Sequence, residues 1–123
     1  MKAVIFFHSI SGHSYDLAEA IAVGIRSVEH CQAELYRVQD PYSDQEVRYM
    51  KPCRERFAHI PEAKWFDLSP LENADAIIFG GPVYFGQISS PVYDYMQHTM
   101  AGPWLEGRYI GKVGAAFTSC ASQ

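Results

Sequence analysis

The chain is predicted to fold as α/β, with helices covering both faces of a doubly wound parallel sheet. Three observations point there. The apolar runs Lys2–Phe7 and Ala76–Gly80 have strand length and no alternation, as expected of strands covered on both faces. Stretches with apolar residues three and four apart lie between the strand-like runs, which is the βα alternation of a parallel sheet. Turns rich in Ser and Gly follow the strands, where such sheets bind ligands beyond their carboxyl ends.

Lys2–Phe7 is the first strand and, being apolar throughout, a central one. It runs into Ser9-Ile10-Ser11-Gly12-His13-Ser14. A helix follows, with Leu17, Ile21, Ile25 and Val28 as its sheet-facing stripe and Glu29-His30 near its end. Ala33–Val38 is the second strand, polar enough for an edge. The stretch from Asp40 to Leu68 holds Pro41, Pro52 and Pro61 and reads as a long connection. Gln45–Met50 and Arg54–His59 are its helical turns, and residues 40–66 are assigned no strand. Pro70–Ala74 is a short helix or turn, and Ala76–Gly80 is the third strand. Ser89 or Ser90 caps a helix with Pro91 at its first position and Val92, Tyr95, Met96 and Thr99 on its inner face. Gly102–Gly107 is a loop and Lys112–Thr118 the fourth strand.

The expected strand order is 2-1-3-4, the fourth strand lying on an unprotected edge and a fifth strand missing. At about 30 residues per βα unit a five-stranded sheet needs roughly 150 residues. The chain, one domain over residues 1–123, is therefore expected to be incomplete at its C-terminus.

Composition narrows the function. Hydrophobic residues make up 48% and charged residues 20%, enough apolar side chain for a folded core. The net charge is −4, which argues against a nucleic-acid partner, since phosphates call for a basic face. No apolar run approaches the roughly 20 residues of a membrane helix, and no secretory leader pattern opens the chain. The expected compartment is the cytoplasm. Three cysteines, Cys31, Cys53 and Cys120, without CxxC spacing fit free thiols there.

The turn Ser9–Ser14 delivers hydroxyls and Gly12 to a helix start, where unpaired N–H groups and the helix dipole favour an anion. It reads as a phosphate cradle without Lys or Arg, or as a plain turn in which Ser11 or Ser14 caps the helix. Neither GxxxxGK[ST] nor GxGxxG occurs, which disfavours nucleoside triphosphates and a dinucleotide fold. The second turn, Gly80-Gly81-Pro82-Val83-Tyr84-Phe85-Gly86, sets two aromatics beside backbone amides. That suits a planar heteroaromatic ring, or a tight turn with core aromatics.

Together, Ser-x-Ser-Gly-His-Ser resembles the phosphate loop of flavodoxins. Ala76–Pro82 followed by Phe85-Gly86, Trp104, and Tyr109-x-Gly111-Lys112 resemble the WrbA-type NAD(P)H:quinone oxidoreductases. The resemblance covers nearly the whole chain apart from residues 40–66. It implies a flavodoxin-like fold, FMN as cofactor, NAD(P)H as hydride donor, quinones as acceptors, and a homo-oligomer, dimer or tetramer. Carried over by position, Ser9, Ser11, Gly12, His13 and Ser14 would hold the FMN phosphate. Pro82, Tyr84, Phe85, Gly86 and Gln87 would line the ring. Ser119, Cys120 and Ala121 would begin a third loop, and Trp104 would wall the nicotinamide and quinone site. Val83-Tyr84 stand where the family usually has Thr-Arg, so a cation near the ring is absent, and the Gly-rich third loop is not matched.

Other readings are weaker. Cys31-x5-Arg37 has phosphatase spacing but falls in a predicted strand. Cys120 reads as a small packing residue, and His8, His30, His59 and His98 as solvated or capping residues. Trp104 could equally belong to a core. The alternatives to an FMN-dependent oxidoreductase are an electron carrier of flavodoxin type without its own substrate, and a binder of a small phosphate-bearing ligand.

Overall fold

The computed structural model describes residues 1–42 and 45–120. Apolar β1 (Lys2–Phe7) leads into α1 (His13–Arg26) and β2 (Gln32–Val38). A 3-10 turn at Arg48–Met50 precedes α2 (Lys51–Glu55), β3 (Glu62–Ala63) and α3 (Ser69–Glu72). Then come β4 (Ala76–Tyr84), β5 (Gln87–Ile88), α4 (Ser90–Tyr95), a π-helical turn at Met96–Met100, α5 (Ala101–Leu105) and β6 (Val113–Ser119).

The four long strands lie parallel in the order β2-β1-β4-β6, which is the expected one. β1 is central, and its alternation divides the core. Val4 and Phe6 pack with Ile77, Phe79, Val92 and Tyr95 on the α4 face. Ile5 and Phe7 pack with Ala18, Ala22, Leu35 and Ile78 on the α1 face. β6 closes the sheet as an exposed edge, paired with β4 from Ala76↔Val113 to Pro82↔Ser119.

Four expectations need correction. Residues 40–66 do supply a strand: β3 pairs in parallel with β2, so β2 is not the edge at its carboxyl end. Arg37 holds it there, its backbone N–H donating to the Pro61 carbonyl at 3.0 Å and its Nε to the Ile60 carbonyl at 2.9 Å. The sheet is not wholly parallel either, because β4 runs past Gly80 to Tyr84 and forms an antiparallel hairpin with β5. Phe85 and Gly86 make its turn at φ 53° and 79°, the positive values that a tight two-residue hairpin requires.

The sheet-facing stripe of α1 is also displaced. Ser14, Ala18 and Ala22 are buried, while Leu17 is 40% and Val28 56% exposed. Small side chains let the helix sit close to the sheet, and Ile21 and Ile25 only flank the contact. Finally, helix replaces the loop expected at Gly102-Pro103, as α5. Pro103 lacks an N–H just past the π-helical turn, where the backbone bonding register already shifts.

Tyr95 is 0% exposed, and its hydroxyl has no partner among the described residues. Burial pushes its phenol far above the ordinary range, followed by the charges of Asp67, Tyr109 and Tyr36. A buried hydroxyl without a partner adds little and is costly to desolvate. Tyr95→Phe is therefore expected to leave stability unchanged or raise it by up to about 1 kcal/mol in urea unfolding. A loss larger than that would contradict the unpartnered geometry.

Candidate cofactor site

Three strand ends meet at one cavity of about 680 Å³. The turn after β1 supplies Ser9, Ile10 and Ser11, α1 supplies His13, Ser14, Asp16 and Leu17, β4 supplies Pro82, Val83 and Tyr84, and the end of β6 supplies Ser119 with Cys120 just beyond it. The parallel sheet explains this convergence, since all three strands point their carboxyl ends the same way.

The first turn is built from its own sequence. Gly12 takes φ 98°, a left-handed value suited to glycine, and so opens α1. Ser9 Oγ accepts the Gly12 N–H at 3.1 Å, folding the turn back on itself. Neither Ser11 nor Ser14 caps the helix, because α1 has no side-chain cap hydrogen bond. Ser14 Oγ instead meets Ser119 Oγ at 3.1 Å, tying the first loop to the third. The helix start thus faces the cavity with its N–H groups uncapped, surrounded by hydroxyls. That donor set fits a phosphate ester, and the glycine leaves its backbone open to close approach. The residues present therefore fit FMN at its phosphate end.

The hairpin tip stands beside this cavity. Tyr84 lines it and also an adjoining groove of about 510 Å³, shared with Phe85, Gln87, Tyr42 and Tyr93. Phe85 is 107% exposed at positive φ, a strained placement for an aromatic residue and one associated with function. Gly86 completes the turn beside it. Burial, then the charges of Tyr42 and Asp40, raises the Tyr84 phenol above its ordinary value, so it stays a neutral donor.

Trp104 is not brought to this cavity. It lines an apolar hollow of about 630 Å³ on the α4 face, against Ile77, Phe79, Met96, Met100 and Tyr109. Ala121 lies outside the described residues. Cys120 is exposed at the cavity rim rather than packed. Arg37 bonds Ile60 and Glu62 from within β2, so Cys31 and Arg37 form no anion loop.

His8 is the opposite of solvated, with a side chain 1% exposed. Its Nδ1 lies 2.9 Å from Ser89 Oγ, at the start of α4. Its Nε2 lies 3.7 Å from Asp40 Oδ2, beyond hydrogen-bond reach but close enough for charge attraction. Burial pushes the Asp40 carboxyl up, but His8, the Tyr42 N–H and Arg54 outweigh it and leave the carboxyl below its ordinary value. A carboxyl lowered in the fold contributes stability above its unfolded value of about 3.9, and the contribution fades as pH falls through the folded value. Acidification below about pH 4 is therefore expected to lower the urea midpoint of the parent more than that of Asp40→Asn. Equal acid sensitivity of the two would contradict this.

Two site residues escape the sequence reading. Asp16 enters the cavity from the first turn of α1. Arg56, from the stretch without a motif, reaches Asp16 and lies against Gly12. The side of α1 facing that stretch carries no periodic signal that would have paired them.

A doubly wound sheet thus brings an uncapped, hydroxyl-rich first turn and an aromatic hairpin together, donors and flat walls of the kind a phosphate-bearing planar ligand needs. The family pattern described as NADPH-dependent FMN reductase matches residues 1–123. The chain is 41% identical over 125 aligned positions to a protein named NAD(P)H dehydrogenase (quinone) from Aromatoleum aromaticum, covering 100% of this chain and 58% of that one. It is 42% identical over 124 positions to the protein of that name from Trichlorobacter lovleyi, covering 99% and 59%. Among solved structures it is similar to a flavodoxin, WrbA-like protein from Agrobacterium tumefaciens, with TM-score 0.67 and 27% identity, covering 99% of this chain and 61% of that one.

The chain belongs to the NADPH-dependent FMN reductase family. Its cofactor is FMN, as the resemblance implies. The chain spans about three fifths of the length of these relatives. Among the described residues, no helix is long and apolar enough to cross a membrane.

Proposed function

We propose that the protein is an oxidoreductase that passes two electrons from NAD(P)H to a quinone. One observation carries the reading: the ends of β1, β4 and β6 converge on a single cavity that opens on the uncapped start of α1. The names of the relatives support the substrates.

In this reading Ser9, Ser11, Gly12, His13 and Ser14 bind the phosphate, through hydroxyls and the N–H groups of α1. Pro82, Tyr84, Phe85, Gly86 and Gln87 orient the ring and screen it from water. Ser119 and Cys120 close the third side, with Ala121 following. Bound FMN supplies the redox chemistry, in which NAD(P)H, a proton and a quinone become NAD(P)⁺ and a hydroquinone. Tyr84, kept neutral, offers a hydrogen-bond donor beside the ring. Assembly as a dimer or tetramer in the cytoplasm belongs to the same proposal.

The test compares FMN with riboflavin, which lacks the phosphate, by fluorescence titration of the chain. NADH-driven reduction of benzoquinone is then followed on the loaded protein. Tighter binding of FMN and hydroquinone formation are expected. Equal affinities would overturn the phosphate anchor, and electron uptake without turnover of benzoquinone would point to a carrier instead.

A further inference from the structure

We propose that Arg56 is a further ligand for the cofactor phosphate, a guanidinium that bridges Asp16 and the anion at the start of α1. The inference rests on the reading of Ser9–Ser14 as the phosphate cradle. It adds a cation to a loop whose own sequence has none.

Three contacts place the group. Arg56 Nη2 donates to Asp16 Oδ1 at 2.5 Å. Nη1 lies 2.9 Å from the point a Cβ on Gly12 would occupy, so the guanidinium rests against the turn that opens the helix. Its Cζ stands 5.7 Å from the centre of the Tyr15 ring, a flat support for a planar cation. Arg56 thus follows α2 yet meets the first turn through Gly12 and through Asp16, which lines the cavity built by the strand ends.

Charge requires something of the kind. Asp16 lines the same cavity as Ser9, Ser11, His13 and Ser14. A carboxylate there repels a phosphate dianion unless a cation stands beside it. A guanidinium presents five donors in a planar fork, so one edge serves Asp16 while the other, turned toward Gly12, serves a phosphate oxygen. Both side chains are about half exposed, 51% for Arg56 and 53% for Asp16, so the fork has room to turn. The ligand class is a phosphate monoester, and inorganic phosphate would compete for the same donors.

The experiment measures the preference for FMN over riboflavin by fluorescence titration in the parent, Arg56→Gln, Asp16→Asn and the double variant. Arg56→Lys serves as a charge-conserving control, and circular dichroism checks the fold of each. Arg56→Gln is expected to cut the preference about tenfold while leaving riboflavin affinity unchanged. Against an Asp16→Asn background, loss of Arg56 is expected to cut it about tenfold again, and Arg56→Lys is expected to keep part of it. Should the double variant match Asp16→Asn, Arg56 only neutralises its carboxylate partner and the inference falls. A parent that prefers FMN, with Arg56→Gln unchanged, would overturn the inference and leave the cradle standing. A parent that does not distinguish the two flavins would overturn the cradle itself, and the inference with it.

Discussion

Gly12→Val is expected to weaken FMN binding by about 100-fold or more while changing riboflavin binding little. Gly12 sits at φ 98°, where a β-branched residue is strained by about 1–3 kcal/mol. The turn relieves that strain by rotating toward negative φ, which breaks the 3.1 Å bond from the Gly12 N–H to Ser9 Oγ and swings the first amides of α1 off the cavity. The new side chain also meets Arg56 Nη1, 2.9 Å from its Cβ, but that long side chain can move aside. The dominant loss is therefore backbone geometry rather than a clash. A fluorescence titration in which the variant binds FMN as tightly as the parent would remove the phosphate assignment.

Gly80→Ala is expected to destabilise the fold by about 1–3 kcal/mol in urea unfolding. Gly80 pairs with Phe117 across β4 and β6, and the Phe117 ring lies directly over it. A Cβ there would stand 2.0 to 2.3 Å from three ring carbons, a separation no packing tolerates. The ring must rotate off the sheet and give up its packing against the core on the α1 face. Shortening the intruding partner should recover part of the loss, so Gly80→Ala with Phe117→Ala should be less destabilised than the sum of the single variants. Additive losses would show that the ring is not what excludes the methyl group.

The sheet was legible where burial on both faces forces continuous apolar runs, as in β1 and β4. The face of α1 was not, because side-chain size suggested Leu17 and Val28 while close packing selected Ala18 and Ala22. Nor was β3, since two residues carry no period and Arg37 anchors them from another strand. The first loop could be read from its hydroxyls and Gly12 beside a strand end, and the third from its place after a strand and the family resemblance. Their joining through Ser14 and Ser119, 105 residues apart, could not. Arg56 was hidden for a related reason: it meets Asp16 from 40 residues away, out of a stretch with no pattern of its own. Trp104 was drawn toward the site by sequence resemblance, but the helical path of α5 takes it to the α4 face.

His8 bears on the entropy of ligand capture. Its buried imidazole touches Ser89 ahead of α4 and Asp40 beyond β2, and its backbone N–H donates to the Gly80 carbonyl at 3.0 Å. Three loops that would otherwise fluctuate independently are cross-linked next to Ser9, where the first turn of the cavity begins. Their conformational freedom is lost when the chain folds, not when a guest arrives. Ordering a free residue's backbone takes roughly 1–2 kcal/mol, so a turn ordered beforehand leaves more of each contact to show as affinity.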